Sequence, residues 1–224
     1  MRFHSVDRIP LMEMGVWDET LERWHGEGLP PWVNSLRRLE DYLRLDRSFN
    51  MNWLPINHEV YPPFEEKVVE ETETDVVRVD HIGVLYRQRK HGHTISKYLR
   101  FPIEDETDYE NLLPRLANGS DPGRYSDDFD DDLRWRRQRG EIIGANFRSS
   151  FGWHRNLVGV ENWCIAFYEQ PGLVRRMVAD RLQFGKDLFA RVLSNGGIDF
   201  VQIWEDMCFK TASLISPPTG TWWI

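Results

Sequence analysis

The feature that most constrains this fold is a long amphipathic segment that leads, through a glycine break, into a short apolar run. Residues 171–193 carry apolar side chains at the spacing of one helix face. The Asn-Gly-Gly triplet at 195–197 is a typical helix stop. Residues 198–203 (IDFVQI) have the length and the β-branched and aromatic content of a buried strand. A helix, a short loop and a buried strand form half of an α/β unit.

Four residues that can do chemistry or bind a ligand follow this predicted strand: Trp204, Glu205, Asp206 and Lys210. In α/β folds, ligands bind beyond the carboxyl ends of parallel strands, so these residues are candidates for a functional site. A structural interpretation is equally well supported. In that interpretation Glu205 and Asp206 cap the next helix, and Lys210 is a solvated charge. The spacing leaves both interpretations open.

A second parallel strand is predicted at residues 141–147 (EIIGANF), with residues 148–154 as its carboxyl-terminal loop. Helices predicted at 158–169 and 171–193 connect it to the strand at 198–203. This arrangement brings Trp153 and His154 to the same face as residues 204–210. Nearer the start of the chain, the pattern predicts a strand at 11–16 and helices at 19–26 and 33–45.

Residues 65–103 show a different pattern, with strand-length runs broken at Thr-Asp, Ile-Gly and His-Gly pairs. This pattern predicts a three- or four-stranded antiparallel meander. His91 and His93 lie two residues apart, which in a strand would place them on one face as metal ligands. A hairpin tip around Gly92 explains both histidines without a metal, and we favour that interpretation.

Composition excludes several classes of function. The chain has 224 residues, 41% of them hydrophobic, and a net charge of −8, which argues against a surface that neutralises nucleic-acid phosphates. Its two cysteines, Cys164 and Cys208, are far apart in sequence and do not suggest a disulfide framework. There is no signal-peptide pattern and no apolar run long enough to span a bilayer. We therefore expect a cytoplasmic protein that binds neither nucleic acid nor membrane.

Four stretches in order along the chain resemble the uroporphyrinogen decarboxylase superfamily, especially its methyltransferase-like and uncharacterised branch. The strand-and-loop segment 198–217 (IDFVQIWEDMCFKTASLISP) resembles that family most clearly. The opening Asp7-Arg8-Ile9-Pro10 with residues 17–30 (WDETLERWHGEGLP), the meander at 65–103, and residues 153–177 (WHRNLVGVENWCIAFYEQPGLVRRM) are also similar to family segments.

The resemblance implies an α/β fold of the (β/α)8 TIM-barrel type, with the meander as an insertion. A complete barrel takes about 250 residues, so residues 1–217 would form an incomplete barrel containing the insertion at 65–103. Residues 218–224 do not resemble the helix that follows in the family, and we expect the chain to be truncated after Pro217. Such a partial barrel would be marginal alone or stabilised as a homodimer.

The resemblance also implies one of two chemistries. Decarboxylation of a pyrrole acetate on a tetrapyrrole needs no cofactor, and Asp206 or Glu205 would be the carboxylate that stabilises the cationic intermediate. His154 would donate a proton, and Arg8 and Lys210 would hold the substrate's acids. The remaining candidate substrate-binding residues are Trp17, Trp53, Asn57, Trp153 and Trp204. The Arg-Gln-Ala-Gly-Arg-Tyr type motif of authentic decarboxylases is absent, since residues 12–17 (MEMGVW) stand near its place.

The alternative chemistry is corrinoid-dependent methyl transfer from a methyl donor to a thiol that zinc holds as thiolate. Its His-x-Cys ligand pattern is absent, because neither cysteine lies two residues after a histidine. No cofactor site is visible in the sequence, and zinc would require a full-length parent. A third hypothesis is a non-catalytic fold that binds a tetrapyrrole or a partner protein. Detectable turnover would exclude this last hypothesis.

Overall fold

A computed structural model describes residues 8–9, 11, 13, 15–46, 53–90, 96–205 and 208–216. The chain divides into two compact units, Met1–Trp53 and Leu54–Ile224. In the first unit, helix α1 spans Asp18–Gly26 and helix α2 spans Leu36–Leu43. Ser35 caps α2, because its hydroxyl accepts a hydrogen bond from the Arg38 amide. The described positions of the segment 11–16 are not in a strand.

The second unit begins with a four-stranded antiparallel sheet in the order β1-β2-β3-β4. The strands span Lys67–Glu71, Asp75–Val79, Leu85–Arg89 and Lys97–Arg100. The Asp80 carboxylate fixes the turn between β2 and β3 by accepting hydrogen bonds from the Ile82 and Val84 amides. The meander predicted from the sequence is therefore present and has four strands.

Helices form most of the remainder of this unit. Helix α3 spans Glu106–Leu116, α4 Phe129–Gln138, α5 Ser150–Val158, α6 Val160–Glu169 and α7 Pro171–Ser194. Gly159, at a φ of 89°, separates α5 from α6, and Pro171 begins α7 at a position where its missing N–H costs nothing. The largest buried cluster joins α3, α5, α6 and α7 through side chains that include Tyr109, Leu157 and Trp163.

The other sheet contains two parallel strands, β5 (Gly144–Arg148) and β6 (Phe200–Trp204). Their register pairs Gly144 with Phe200 and Arg148 with Trp204. Parallel pairing at these positions confirms the two predicted strands and the helical connection between them. The prediction that the second strand is buried was wrong, because Val201 is 41% exposed and Ile203 is 62% exposed.

The predicted partial (β/α)8 barrel is wrong for the part of the chain that the structure describes. A barrel of this type alternates one strand with one helix. Here three successive helices, α5 to α7, separate β5 from β6, and the other four strands pair antiparallel in a separate sheet. These six strands do not close on themselves. The result is a mixed α/β fold with one antiparallel and one short parallel sheet.

A substitution at Gly119 tests how closely the loop after α3 packs against helix α7. A methyl group placed on the Gly119 Cα would contact the Phe184 carbonyl oxygen and would lie 2.8 Å from the Leu188 amide nitrogen, and backbone atoms cannot rotate away. We expect Gly119→Ala to lower the free energy of unfolding by about 1–3 kcal/mol in urea denaturation.

Gly172, in the first turn of α7, is the matched control, since no described atom lies within 4 Å of the position that an alanine methyl group would occupy there. Gly172→Ala should be neutral or stabilising by up to about 1 kcal/mol. Equal stability of the two variants would contradict the close packing of the loop against α7.

Candidate functional site

The carboxyl ends of the two parallel strands meet in the second unit. The Ser149 amide, just after β5, donates a hydrogen bond to the Trp204 carbonyl at 3.2 Å. The Glu205 carboxylate, just after β6, accepts hydrogen bonds from the amides of Phe151 at 3.2 Å and Gly152 at 2.8 Å. These amides belong to the first turn of α5, whose N–H groups have no partner within the helix. Glu205 therefore stabilises the start of α5, which precedes it in the chain, and does not cap a following helix in the described residues, contrary to the structural interpretation.

A buried arginine of helix α7 contacts the carboxyl end of strand β5. Arg181 of α7 is 4% exposed, and it donates hydrogen bonds to the carbonyls of His58 at 2.9 Å and Arg148 at 3.1 Å. Its guanidinium carbon lies 4.2 Å from the ring centre of Phe147 and 4.5 Å from that of Trp153. Its Nε is buried without a hydrogen-bond partner among the described residues. Burial lowers its pKa to about 9, so the group keeps its charge at neutral pH.

A second buried arginine fixes the loop that carries His58. Arg124 is 1% exposed and donates hydrogen bonds to four backbone carbonyls, those of Asn118, Asn57, Glu59 and Arg115, at 2.6 to 3.2 Å. Because all four acceptors are backbone atoms, the guanidinium holds segments that are far apart in sequence. Burial lowers its pKa from the ordinary arginine value.

The more accessible side chains next to the two buried arginines are those of Arg148, His58 and Glu59. The Glu59 Oε1 atom lies 2.8 Å from Arg148 Nε and 3.6 Å from His58 Nε2. The Arg148 side chain is 40% exposed, and its two Nη groups make no hydrogen bond to the described part of the chain. Burial first, and then the charges of Arg181, Arg148 and Arg124, lower the pKa of His58 to about 4. The imidazole is therefore neutral at pH 7.

We call His58, Glu59, Arg124, Arg148 and Arg181 the arginine cluster. Its three guanidinium groups make a single ion pair with the described carboxylates, the one between Arg148 and Glu59. With His58 neutral, three positive charges and one negative charge leave a net charge of +2. Such an excess in a partly dehydrated setting favours binding of an anion, and a guanidinium with both Nη groups available can bind a carboxylate in bidentate fashion.

The other predicted site residues of the second unit include two exposed side chains and one that stabilises a loop. Trp204 is 46% exposed at the end of β6, and Lys210 is exposed. Asp206 lies outside the described residues. The Asn57 side chain accepts a hydrogen bond from the Glu59 amide at 2.9 Å, so it shapes the loop that carries the arginine cluster.

Trp153 and His154 do not reach the surface at the strand ends. Residues 150–158 form helix α5 instead of the predicted loop, and this helix places both side chains in the core, at 1% and 2% exposure. His154 Nδ1 lies 2.5 Å from the Ser150 carbonyl. Burial lowers the pKa of His154 to about 3, so this imidazole is neutral at pH 7.

Three predicted substrate-binding residues belong to the first unit. The Arg8 guanidinium pairs with both carboxylate oxygens of Asp46 at 2.5 Å, so it already has an anionic partner. Trp17 is 69% exposed immediately before α1. Trp53 is partly buried at the end of this unit.

Sequence reasoning missed Arg148, His58, Glu59, Arg124 and Arg181, although signals for some of them were present. Arg148 directly follows the first predicted parallel strand, and His58 and Glu59 follow Asn57. Arg181 lies four residues after Met177, on the apolar face of the predicted helix. A charged residue on such a face needs buried partners, which identifies it as unusual. No sequence pattern distinguishes Arg124, whose partners are all backbone carbonyls.

The described residues do not provide a metal centre of the zinc-thiolate kind. No group of three or more His, Cys, Asp or Glu side chains among them could hold a metal ion. Cys164 is partly buried with its Sγ 3.7 Å from the Leu214 carbonyl, whereas Cys208 is exposed. His91 and His93 lie outside the described residues. None of the described helices is both long enough and apolar enough to cross a membrane.

A substitution at Glu205 tests whether its carboxylate stabilises the start of α5. Replacing it with alanine removes the acceptor for two amides and a negative charge near the positive end of the helix dipole. We expect Glu205→Ala to lower the free energy of unfolding by about 1–2 kcal/mol in urea denaturation. Glu161→Ala, at an exposed position in the first turn of α6, is the control and should cost less than about 0.5 kcal/mol. Equal losses would show that the cap contributes nothing specific.

Because two histidines are buried in the neutral form, we expect the free energy of unfolding to depend on pH. The pKa values of His58 and His154 are lower in the folded chain than in the unfolded chain, so the unfolded chain binds more protons at mildly acidic pH. Stability should therefore fall as the pH drops from about 6.5 to about 4.5, by at most about 1.4 kcal/mol per pH unit for each histidine.

His154→Gln should reduce this slope, as measured by urea denaturation at a series of pH values. His81→Gln replaces an exposed imidazole in the turn after β2 and is the matched control, with an expected slope like that of the unsubstituted protein. A slope that His154→Gln leaves unchanged would contradict the buried neutral state of this side chain.

Comparison with known proteins adds no relative to this picture. A scan of protein-family models, a search of curated proteins and a search of solved structures each found no match to the chain. The arrangement of the residues themselves is therefore the structural basis for a functional proposal.

Proposed function

We propose that this chain is a uroporphyrinogen decarboxylase-like protein that binds a carboxylated tetrapyrrole, with Arg148 holding one of the carboxylates. The observation that carries the proposal is the accessible Arg148 guanidinium in a cluster of net charge +2, at the end of strand β5. Substrates of this class carry several carboxylates, and an arginine fork matches the planar geometry of each of them. The ordered sequence resemblance supports the proposed family, and the arginine cluster supports the binding of a carboxylate.

The position of the cluster supports a role in binding. Arg148 pairs with Trp204 in the strand register, so the guanidinium-bearing residue and a half-exposed aromatic residue occupy neighbouring strand ends. Aromatic side chains provide flat apolar surface for a flat macrocycle. Arg181 and Arg124 hold the backbone around the site, because their hydrogen bonds end on the carbonyls of Arg148, His58 and Glu59.

The chemistry proposed for the bound substrate is decarboxylation of a pyrrole acetate. A proton adds to the pyrrole ring, the bond between the side-chain methylene and the carboxylate breaks, and its electron pair returns to the ring. Carbon dioxide leaves, the methylene carbon takes up a proton, and the ring gives one back, so one proton is consumed overall. A carboxylate next to the cationic ring would stabilise it, and a neighbouring acid would supply the proton.

Binding of the oxidised, fluorescent porphyrin tests the role of Arg148. We expect Arg148→Gln to weaken binding of uroporphyrin by about 10- to 100-fold, because it removes a charged hydrogen-bond donor from a carboxylate. Quenching of tryptophan fluorescence measures the affinity. Arg134→Gln is the matched control, since Arg134 is an exposed arginine of α4 paired with Asp131, and it should leave the affinity unchanged.

Turnover tests the reaction itself. The protein is incubated without oxygen with freshly reduced uroporphyrinogen, and the products are oxidised and separated by chromatography. Products that have lost carbon dioxide, with a rate that Arg148→Gln reduces, would support the proposal. Tight binding without any decarboxylated product would favour a non-catalytic tetrapyrrole-binding protein. Equal affinity of the Arg148→Gln and unsubstituted proteins for uroporphyrin would refute the role of Arg148.

A further inference from the structure

The His58 imidazole has an unusual position, because positive charges reach it from several elements. Arg181 of α7, Arg148 at the end of β5 and Arg124 of the turn before α4 act on it through their charges, while Glu59 of its own segment lies 3.6 Å from its Nε2 atom. The His58 side chain is 14% exposed. It is therefore mostly buried, which opposes its protonation together with the neighbouring charges, but part of the ring still reaches solvent.

Glu59 connects the imidazole to the proposed anion-binding group. Its Oε1 atom lies 2.8 Å from Arg148 Nε and 3.6 Å from His58 Nε2. Because both contacts share this atom, Arg148 and His58 are neighbours, and an anion on the Nη groups of Arg148 would lie on the order of 10 Å or less from the imidazole. At this distance a negative charge offsets part of the positive field that, after burial, keeps the imidazole neutral.

We propose that His58 is the proton-exchanging group of this site, and that an anion bound by Arg148 draws a proton onto its imidazole. The inference rests on the anion-binding role proposed for Arg148. A ligand carboxylate and a protonated imidazole then stabilise each other, so binding and proton uptake are linked in both directions. Decarboxylation consumes a proton, and this linkage would supply a proton donor only when substrate is present.

His58 fits this role better than the buried His154. His154, on helix α5, lies in the protein core, where its Nδ1 contacts the Ser150 carbonyl and its ring centre lies 5.0 Å from that of Trp163. A proton would have to cross packed side chains to reach it. His58 lies on the accessible edge of the arginine cluster, next to a carboxylate and the guanidinium that would hold the ligand.

Sulfate is a suitable probe, because it stays ionised throughout the range in which histidine titrates and takes no part in decarboxylation. The pKa of His58 is measured by NMR on histidine-labelled protein, without sulfate and at saturating sulfate, with the ionic strength held constant by sodium chloride. We expect sulfate to raise the pKa of His58 from about 4 by about 1.5 to 2. Arg148→Gln should abolish this rise, and the His154 signal should not move.

The reciprocal measurement is the affinity for sulfate as a function of pH. Binding should be about 4- to 10-fold tighter at pH 5 than at pH 7, and His58→Gln should remove this pH dependence. His154→Gln is the matched control and should retain the difference. The NMR comparison uses the unsubstituted protein, so it stands even if a variant fails to fold.

The possible outcomes separate this inference from the proposed function. Sulfate binding that leaves the pKa of His58 unchanged, or a rise that persists in Arg148→Gln, would overturn the role of His58 alone. Failure of sulfate to bind at pH 5 would overturn both that role and the anion-binding role of Arg148. Linked binding in a protein that does not decarboxylate uroporphyrinogen would support the inference and reject the proposed reaction.

Discussion

The second unit depends on the burial of Arg181 between helix α7 and strand β5. Removing an ion from water costs several kcal/mol even after the protein relaxes, and no described carboxylate pairs with this guanidinium. Two charged hydrogen bonds to backbone carbonyls recover about 1.5–3 kcal/mol each, and the faces of Phe147, Trp153 and Phe184 contribute further. These gains are of the same order as the cost. The guanidinium therefore stays charged in the interior, and it fixes the ends of β5 and of the loop at His58.

A fixed buried charge has consequences for its neighbours. The field of Arg181, together with that of Arg148 and Arg124, adds to burial in keeping His58 neutral, although a solvated imidazole would ordinarily titrate near neutrality. Glu59 offsets part of this field but not all of it. The cluster therefore holds an excess of positive charge that an anion from outside can balance. Structural arginines thus create the electrostatic condition for binding, while the more exposed Arg148 provides the contact.

The sequence predicted the local structure of this unit better than its assembly. Periodicity and strand composition located α7, β5, β6 and the meander, because each depends on the spacing of apolar residues along one segment. The predicted barrel failed because it rested on the family resemblance, whereas the pattern of the chain already placed two helices between the two parallel strands. Residues 148–154 were interpreted as a loop, yet they contain the start of α5, and this helix turns Trp153 and His154 into the core. The arginine cluster escaped prediction because most of its contacts are with backbone carbonyls, which every residue possesses.

The acidic composition of the chain is compatible with a site for anions. A net charge of −8 repels an anion at long range, but salt screens exposed charges beyond about 8 Å at physiological ionic strength. The arginine cluster acts within this distance, and its buried members are screened less than the surface carboxylates. Local charge therefore dominates once a ligand reaches the strand ends, whereas the distant negative charge slows the approach of every anion. A large, flat carboxylated ligand can use two contacts at the strand ends, because it can pack on the exposed surface of Trp204 and pair with Arg148 at the same time.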